Sequence, residues 1–365
     1  MKEIRKIIST YNQIDPNKEK IALASVVNVE ESSFRRIGAR MLVKSNGEWI
    51  GGISGGCLEG DALKRSQVAI FKNRPSTVVY DTMDDDKNQI GVGLGCNGRI
   101  EVLFTPIDKT NLHNEIEQLE RIHKNNAPAI LLKVIASEKE QYLGKVCFVE
   151  SISEVSGFCN FEEHALEELI SEVNEKRRNK VISLENKEGI KLKLLFEFIK
   201  PETRLVIIGD NYDVHAFVGL SKELGWDVSI VGRAKKLPKE IFKQVDRVYE
   251  YEQSDKVPID DYTAVLLMSH DYNWDKELLP IYLEKEPAYL GMLGPKKRLH
   301  KMEKELGMND LNQLGNFYSP VGLDIGAESP EEISLAIASE IIAVFRNKKG
   351  LPLKYKEGTI HERLM

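Results

Sequence analysis

The sequence predicts an α/β chain in two parts: an N-terminal α+β domain with glycine-rich loops, followed by a doubly wound parallel sheet. Beyond residue 203, short apolar runs alternate with segments of helical length, which is typical of a parallel sheet. In the first part, Asn46-Gly47 marks a hairpin, and hairpin strands are antiparallel. Pro201-Glu-Thr separates the two parts, so we expect domains at residues 1–200 and 201–350 and a tail at 351–365.

Apolar spacing predicts the elements of the first part. Ile4, Ile7, Ile8 and Tyr11 recur at helical intervals, and residues 21–29 are rich in apolar and β-branched types, as in a strand. The predicted helices are 2–13, 58–71, 111–124 and 162–177, and the predicted strands are 21–29, 41–43, 49–50, 77–80, 100–104, 129–135, 145–149 and 192–198.

The second part is predicted as alternating strands and helices. The predicted strands are 204–208, 227–231, 247–251, 264–268 and 288–292, and the predicted helices are 213–224, 274–284, 296–306 and 330–346. The last helix has the strongest start signal, because Ser329-Pro330-Glu-Glu332 combines a capping box with a proline at the first helical position.

Composition excludes several classes of protein. The net charge of −6 argues against a nucleic-acid-binding surface, which would be basic. No apolar run approaches the ~20 residues of a membrane helix, and the charged N-terminus lacks a signal-peptide core. Four cysteines in 365 residues are too few for a disulfide scaffold and fit a reducing compartment. We therefore expect a cytoplasmic protein that binds neither nucleic acid nor membrane.

Two glycine-rich stretches concentrate the chemistry of the first part. Five of the ten residues from Gly51 to Gly60 are glycine, and they surround Ser54, Cys57 and Glu59. A second stretch, Gly91 to Gly98, contains Cys96. Glycine permits close approach to the backbone but costs roughly 0.5–1 kcal/mol on folding. We expect the two loops, with their exposed backbone amides, to form the walls of one site.

These motifs resemble the xanthine dehydrogenase accessory factor (XdhC/CoxI) family. The N-terminal resemblance rests on Gly38-Ala-Arg-Met-Leu-Val, Ser54-Gly-Gly-Cys-Leu-Glu-Gly and Gly93-Leu-Gly-Cys. Leu205-Val-Ile-Ile-Gly209, Met268-Ser-His-Asp271, Gly291-Met-Leu-Gly294 and Pro320-Val-Gly-Leu-Asp-Ile-Gly-Ala look like its C-terminal Rossmann-type domain. The resemblance implies a factor that binds molybdenum cofactor (molybdopterin) as cargo, assists its sulfuration and inserts it into an apo molybdenum hydroxylase of the xanthine dehydrogenase type. A chaperone is favoured over a turnover enzyme, and no catalytic residue is assigned.

In the first domain, Cys57 and Cys96 are the candidate molybdenum ligands, because thiolates suit soft metals. A position at a helix N-terminus would favour the Cys57 thiolate; the alternative is a small buried hydrophobe. The loop residues Ser54, Gly55, Gly56 and Gly95 are assigned to cofactor binding with them. Arg40 is expected to pair with an anionic pterin or phosphate, or else to belong to a solvated basic patch. Glu59 is a further candidate that could instead complement the helix dipole.

In the second domain, the candidates lie at the carboxyl ends of predicted strands, where open α/β sheets bind ligands. They are Gly209, His270, Gly294, Lys296 and Arg298. Lys296 and Arg298 begin a helix, where an anionic ligand would offset the unfavourable dipole. Asp324 lies in a glycine-flanked loop and could orient a ligand or only shape the turn.

Two departures weaken a dinucleotide-binding interpretation of the second domain. Asn211 stands where the second glycine of the phosphate fingerprint belongs, and Gly232-Arg233 replaces the acidic residue that binds the ribose. NAD(P) is therefore not expected as a cofactor. The competing hypotheses are an NADP-dependent oxidoreductase, with Arg233 on the 2′-phosphate, and a nucleotide-sensing regulatory protein. We further expect a homodimer, and a cysteine desulfurase as a second partner.

Overall fold

The computed structural model describes residues 2–31, 34–81 and 98–357. These residues form two compact units, unit 1 (residues 2–201) and unit 2 (Glu202–Glu357). Unit 1 contains two antiparallel sheets, and unit 2 contains one parallel sheet of six strands. The predicted fold class is therefore confirmed.

Unit 1 is an α+β unit. Its helices are α1 (Lys2–Gln13), α2 (Glu59–Lys72), α3 (Glu115–Asn125), α4 (Ile152–Cys159) and α5 (Glu163–Lys176). Its strands are β1 (Ile21–Glu31), β2 (Arg40–Lys44), β3 (Trp49–Gly51), β4 (Ser76–Asp81), β5 (Gly98–Ile107), β6 (Ala129–Ser137), β7 (Val146–Phe148), β8 (Lys180–Glu185) and β9 (Lys191–Ile199). The sheets run β3-β2-β1-β5-β4 and β7-β6-β9-β8. Val27, Leu103, Ile135 and Leu195 join them in one apolar cluster.

The sequence did not predict α4 or β8. Helix α4 has only eight residues, and Gly157 lies within it, so its periodic signal is weak. Ser151 nevertheless caps it by accepting a hydrogen bond from the Glu154 amide. Strand β8 is an edge strand without a fully buried side chain, which leaves little apolar pattern to detect.

Unit 2 is a doubly wound α/β unit. Its strands are β10 (Arg204–Ile208), β11 (Asp227–Val231), β12 (Arg247–Tyr249), β13 (Thr263–Leu267), β14 (Tyr289–Met292) and β15 (Phe317–Tyr318). Its helices are α6 (Tyr212–Leu224), α7 (Lys239–Phe242), α8 (Tyr272–Glu284), α9 (Lys296–Leu306) and α10 (Pro330–Phe345). The strand order is β12-β11-β10-β13-β14-β15, and every pair is parallel. This is the Rossmann order.

Both faces of the parallel sheet are covered. Leu205 and Ile207 of β10 belong to the core that includes residues of α6 and α10, whereas Val206 and Ile208 belong to the core with α8 and α9. Strands buried on both faces are apolar throughout, which is why the sequence showed them as uninterrupted runs. The two-residue β15 is too short to have been predicted.

The start of α10 is as the sequence predicted. Ser329 Oγ accepts from the Glu332 amide at 3.2 Å, and Glu332 Oε2 accepts from the Ser329 amide at 3.1 Å. Within the described part of the chain, no helix is both long enough and apolar enough to cross a membrane.

Candidate functional site

The first glycine-rich loop, residues 51–58, is closed by its own side chains and is called the Cys57 loop below. The Ser54 hydroxyl donates to Glu59 Oε2 at 2.6 Å, and the Ser54 amide donates to Glu59 Oε1 at 2.8 Å. The amides of Gly56, Cys57 and Leu58 donate to Ser54 Oγ at 3.3, 3.1 and 3.0 Å. The expectation of bare amides is therefore wrong for these three, because a serine hydroxyl just before a helix acts as a cap.

Glu59 shapes this loop. It is the first residue of α2, and its carboxylate also accepts from the Leu58 amide at 3.2 Å. Burial acts to raise the pKa of the Glu59 carboxyl, but the hydrogen bonds from Ser54 outweigh burial and lower it. Two hydrogen bonds between Ser54 and Glu59 therefore connect the Cys57 loop to the start of α2.

Glycine is required in the Cys57 loop at Gly51, and a second glycine, Gly55, lies against a neighbouring ring. Gly51 has φ +84°, and a Cβ there would lie 2.3 Å from the Arg40 carbonyl oxygen. At Gly55, a Cβ would lie 3.2 Å from the ring of Phe34. The absence of a side chain at Gly51 thus lets the loop backbone lie close to the Arg40 backbone.

The Cys57 thiol is exposed at the tip of this loop. Cys57 lies two residues before α2, which begins at Glu59. Of the three cysteines that the structure describes, the other two are packing residues: burial raises the pKa of Cys147 to about 11 and that of Cys159 to about 12. Cys57 is therefore the one exposed thiol among the described residues, since Cys147 is partly buried and Cys159 is buried.

The second glycine-rich loop, with Gly95 and Cys96, lies outside the described residues. Among residues 2–31, 34–81 and 98–357, no group of three or more His, Cys, Asp or Glu side chains is placed to hold a metal ion. The pairing of Cys57 with Cys96 on one metal therefore stays a prediction.

Arg40 belongs to a buried charge cluster in unit 1, formed with Glu115, Lys133 and Glu197. Arg40 Nε donates to Glu115 Oε1 at 2.7 Å. Its two terminal nitrogens donate to the two oxygens of Glu197 at 2.9 and 2.6 Å. Lys133 Nζ donates to Glu115 Oε1 at 2.6 Å. The four charges balance, and they tie β2, α3, β6 and β9 together.

This position corrects the prediction that Arg40 binds the cofactor. The Arg40 side chain is only 1% exposed, and two carboxylates occupy its guanidinium, so an anionic ligand has no face to bind. Burial acts to raise the pKa of Glu115, but Lys133 and Arg40 outweigh burial and lower the pKa to about 2. Sequence reasoning missed Glu115 and Glu197 because they lie 75 and 157 residues from Arg40.

Glu3 is a second residue that sequence reasoning missed. Its Oε1 accepts from the Gly52 amide at 3.0 Å, and its Oε2 pairs with Arg35. One carboxylate of α1 thus fastens the Cys57 loop to the segment around Phe34. An acidic residue in the first turn of a helix gave no signal beyond dipole complementarity.

In unit 2, the candidate residues lie at the carboxyl edge of the parallel sheet. The chain leaves β10 toward β11 on one side, whereas β13 lies on the other side of β10, so the switch point is the gap between β10 and β13. Gly209 follows β10 at this gap with φ +154°, and a Cβ there would lie 2.6 Å from the Met268 carbonyl oxygen. Glycine is thus needed where the two strand ends meet.

Asn211 replaces the usual glycine with a helix cap. Its Oδ1 accepts from the Asp213 amide at 3.0 Å, and its Nδ2 donates to the Met268 carbonyl at 2.5 Å. The first turn of α6, which receives pyrophosphate in dinucleotide-binding folds, is therefore capped by its own chain. Asn211 thus takes the place of a ligand acceptor at the Asp213 amide.

Asp210 and Arg233 pair at the ends of β10 and β11. Asp210 Oδ2 accepts from the Arg233 amide at 3.0 Å and from Arg233 Nε at 2.8 Å. Burial acts to raise the pKa of Asp210, but the hydrogen bonds from Arg233 outweigh burial and lower it. The ribose-binding position of NAD enzymes therefore holds an internal ion pair.

His270 lies on the other side of the switch point. Its backbone has φ +58°, a conformation that is uncommon for residues other than glycine and in which asparagine, aspartate and histidine are the most frequent. His270 Nε2 lies 2.8 Å from Asp213 Oδ2, and the ring remains half-exposed. The strained loop thus brings an accessible imidazole to the edge of the sheet, as the sequence predicted from its place after a strand.

Arg298 is only partly available. Its Nη2 donates at 2.6 Å to Asp275, which is buried in the first turn of α8. Burial raises the pKa of Asp275, and the hydrogen bonds from Ser269 and Arg298 offset this only in part. The Arg298 stem packs over Gly294, where a Cβ would lie 3.0 Å from Arg298 Cδ.

The two remaining candidates are exposed. Lys296 is the first residue of α9, and Asp324 lies in the loop between β15 and α10. The structure places Gly209 and His270 at one gap, Gly294, Lys296 and Arg298 at the end of β14, and Asp324 beyond β15.

Two family models match the chain. The model described as the XdhC and CoxI family matches residues 16–81, which contain the Cys57 loop. The model described as the XdhC Rossmann domain matches residues 205–341, which contain the carboxyl edge. Together they cover more than half of the chain. The chain belongs to the XdhC and CoxI family.

Similar proteins span both units. A probable xanthine dehydrogenase component of Bacillus subtilis (strain 168) is 26% identical over 330 residues, which are 89% of this chain and 93% of that protein. Molybdenum cofactor insertion chaperone PaoD of Escherichia coli (strain K12) is 22% identical over 327 residues, 88% of this chain and 82% of that protein. A crystal structure described as a xanthine dehydrogenase from Bacillus halodurans has a TM-score of 0.71 and 26% identity, covering 97% of this chain and 99% of that chain.

Proposed function

We propose that the chain is a cytoplasmic maturation factor that binds molybdenum cofactor as cargo and inserts it into an apo molybdenum hydroxylase of the xanthine dehydrogenase type. The observation behind the proposal is an exposed thiol, Cys57, on a loop held by the carboxylates of Glu59 and Glu3 in a chain of the XdhC and CoxI family. The name of the Escherichia coli relative supports the choice of cargo.

In this proposal Cys57 binds the molybdenum, because a thiolate is a ligand that soft metals select. The hydrogen bonds within the loop hold the thiol outward without using it. Cys96 is proposed as a second ligand, and Gly55, Gly56 and Gly95 as backbone contacts of the cofactor. Ser54 and Glu59 act by holding the loop.

We also propose that the factor assists sulfuration of its cargo, with a cysteine desulfurase as the sulfur donor, and that it works as a homodimer. The exposed Cys57 fits a partner that must reach the bound metal. Light scattering measures the molar mass of the purified protein. A monomeric mass at micromolar concentration contradicts the proposed homodimer.

Replacing single cysteines tests cargo binding. Wild type, Cys57→Ser and Cys147→Ser are purified from a molybdenum-replete host, and molybdenum and pterin are measured per chain. We expect Cys57→Ser to hold at least roughly tenfold less molybdenum and pterin per chain, because losing even an outer-shell partner of a metal ligand typically weakens metal binding about 10–100-fold. Cys147→Ser is the matched control and should retain them. Full cargo on a folded Cys57→Ser variant contradicts the proposal.

The alternative functions are an NADP-dependent oxidoreductase and a nucleotide-sensing regulator. The Asn211 cap argues against both, because it occupies the first turn of α6, where the pyrophosphate of a dinucleotide would bind. Calorimetry with NAD and NADP separates the cases. Micromolar affinity for either, without molybdenum in the purified protein, would favour the alternatives.

A further inference from the structure

The carboxyl edge of the parallel sheet carries three pairs in a row, each formed by a carboxylate and a basic side chain, two of them arginines and one a histidine. They are Asp210–Arg233 between the ends of β10 and β11, Asp213–His270 across the switch point, and Asp275–Arg298 between the segments that follow β13 and β14. Neighbouring strands lie about 4.8 Å apart, so three successive gaps place these pairs along roughly 10 Å of edge. They therefore form one continuous polar strip.

In each pair the carboxylate is the inner partner and the cation the outer one. The exposed fractions of the two side chains are 4% and 45% for Asp210 and Arg233, 26% and 54% for Asp213 and His270, and 1% and 21% for Asp275 and Arg298. Lys236, 53% exposed, adds another cation 3.8 Å from Asp210. A ligand that approaches the strip meets oriented cations before it meets their carboxylates.

Aromatic packing fixes the Arg233 head group further. The guanidinium carbon lies 5.9 Å from the centroid of the Tyr251 ring, and Tyr251 stacks on Trp274 with ring centroids 4.3 Å apart. Because Asp210 accepts from Nε at 2.8 Å and from Nη2 at 3.5 Å, and the guanidinium lies near a ring, the remaining nitrogen, Nη1, is already oriented. Little rotamer entropy remains to be lost when a ligand binds.

One donor on the strip lacks an acceptor. Arg298 Nε is buried and has no hydrogen-bond partner among the residues that the structure describes. Buried donors in native proteins are almost always satisfied by protein, water or ligand. An anionic oxygen is the natural acceptor for a guanidinium nitrogen.

Two helices that begin at this strip, α6 and α8, limit the kind of anion, whereas α9, which begins at Lys296, has no side-chain cap. Asn211 caps α6, and Asp271 caps α8 by accepting from the Asn273 and Trp274 amides at 2.9 and 3.4 Å. A bridging pyrophosphate needs the open first turn that α6 lacks. The cationic side chains remain, and they suit a single terminal phosphate.

We propose that the carboxyl edge of unit 2 binds a phosphate monoester, with Arg233 and His270 holding the phosphate at the switch point and Arg298 next along the edge. Molybdopterin ends in such a phosphate, so the identity of the bearer rests on the proposed function, whereas the site rests on unit 2 alone. In this proposal Arg233 binds the phosphate of a monoester and not the 2′-phosphate of NADP.

The test uses the full chain and molybdenum-free probes. Calorimetry at low salt compares guanosine 5′-monophosphate, inorganic phosphate, guanosine and NAD. We expect the monophosphate to bind, inorganic phosphate to compete with it, and guanosine and NAD to bind at least roughly tenfold more weakly, because neither has a terminal phosphate. Equal binding of guanosine, or tighter binding of NAD, overturns the proposal.

Variants locate the site. Arg233→Gln and His270→Asn should each weaken monophosphate binding at least roughly tenfold, the loss of one charge-assisted contact. His270→Asn is chosen because asparagine tolerates positive φ. Arg247→Gln is the matched control. Arg247 is the first residue of β12 and therefore lies at the amino-terminal ends of the strands, away from the proposed site. This variant should change monophosphate binding less than about twofold. Unchanged binding in folded Arg233→Gln and His270→Asn overturns the proposal.

The same experiment separates this site from cargo binding. Cys57→Ser should bind the monophosphate as tightly as wild type. If the purified chain holds no molybdenum but binds the monophosphate through Arg233, the proposed function fails and the site stands. If the purified chain holds molybdenum but no variant changes monophosphate binding, the proposed phosphate site fails and the proposed function stands.

Discussion

The buried charge cluster of unit 1 and the ion-pair strip of unit 2 use the same groups for different purposes. Arg40, Glu115 and Lys133 are each about 1% exposed, and their charges are neutralised inside the unit. On the strip, each cation is exposed well beyond its carboxylate. The exposed fraction of the side chain therefore distinguishes an arginine with a structural role from one that is available to a ligand. Single substitutions can test that contrast.

The largest effect is expected from Glu115→Gln. Removing one carboxylate leaves the buried Arg40 and Lys133 under-compensated, and breaking a buried pair in this way typically costs about 3–5 kcal/mol. Urea unfolding measures the change. The control is Glu30→Gln, which removes a half-exposed partner of Arg99 and should cost at most about 1 kcal/mol. Equal effects of the two variants would contradict a structural role for the cluster.

The same cluster should make stability depend on acid. The pKa of Glu115 is about 2 in the folded chain, against an ordinary value of 4.5. A lowered folded pKa stabilises above the unfolded value, and the stabilisation is lost as pH falls from 4.5 toward 2. The difference in unfolding free energy between wild type and Glu115→Gln should therefore shrink by about 3 kcal/mol over that window. A difference independent of pH is the contrary result.

An intermediate effect is expected from Asn211→Ala, which removes both the cap of α6 and the hydrogen bond to Met268. Loss of a cap costs about 1 kcal/mol, and the second hydrogen bond adds about the same. Thermal unfolding measures the loss. Asn273→Ala is the control, because Asn273 lies in the first turn of α8 with an exposed side chain, and it should be nearly neutral. A neutral Asn211→Ala would argue that the cap is dispensable.

The smallest effect is expected from His270→Gly. Glycine adopts φ +58° without strain, so relief of the backbone offsets the lost contact with Asp213, and the net change should stay within about 0.5 kcal/mol. Chemical denaturation of His270→Gly beside His270→Ala measures it, since alanine keeps the strain. A loss of unfolding free energy above about 1 kcal/mol in His270→Gly would indicate that His270 has a structural role, as the buried charge cluster of unit 1 does.

Much of the fold could be predicted from the sequence, because its signals are local. The apolar runs of β10, β11 and β13 reflect burial on both faces of a parallel sheet. The capping box at Ser329 and the hairpin at Asn46-Gly47 need only neighbouring residues, and the structure shows both. Element types followed from spacing, and the misses were short elements with few buried side chains.

Only the tertiary structure decided what the charged candidates do. Sequence reasoning made the same assignment for Arg40 and Arg298, as anion-binding candidates near a glycine loop or a strand end, and named Arg233 only under the NADP alternative. Their partners lie 23 to 157 residues away, and no local pattern predicts them. Folding buries Arg40 between two carboxylates and leaves Arg233 at the edge of a sheet. The reason is physical: the local sequence sets the propensity of each segment, whereas burial and pairing of a charge depend on which distant segments pack around it.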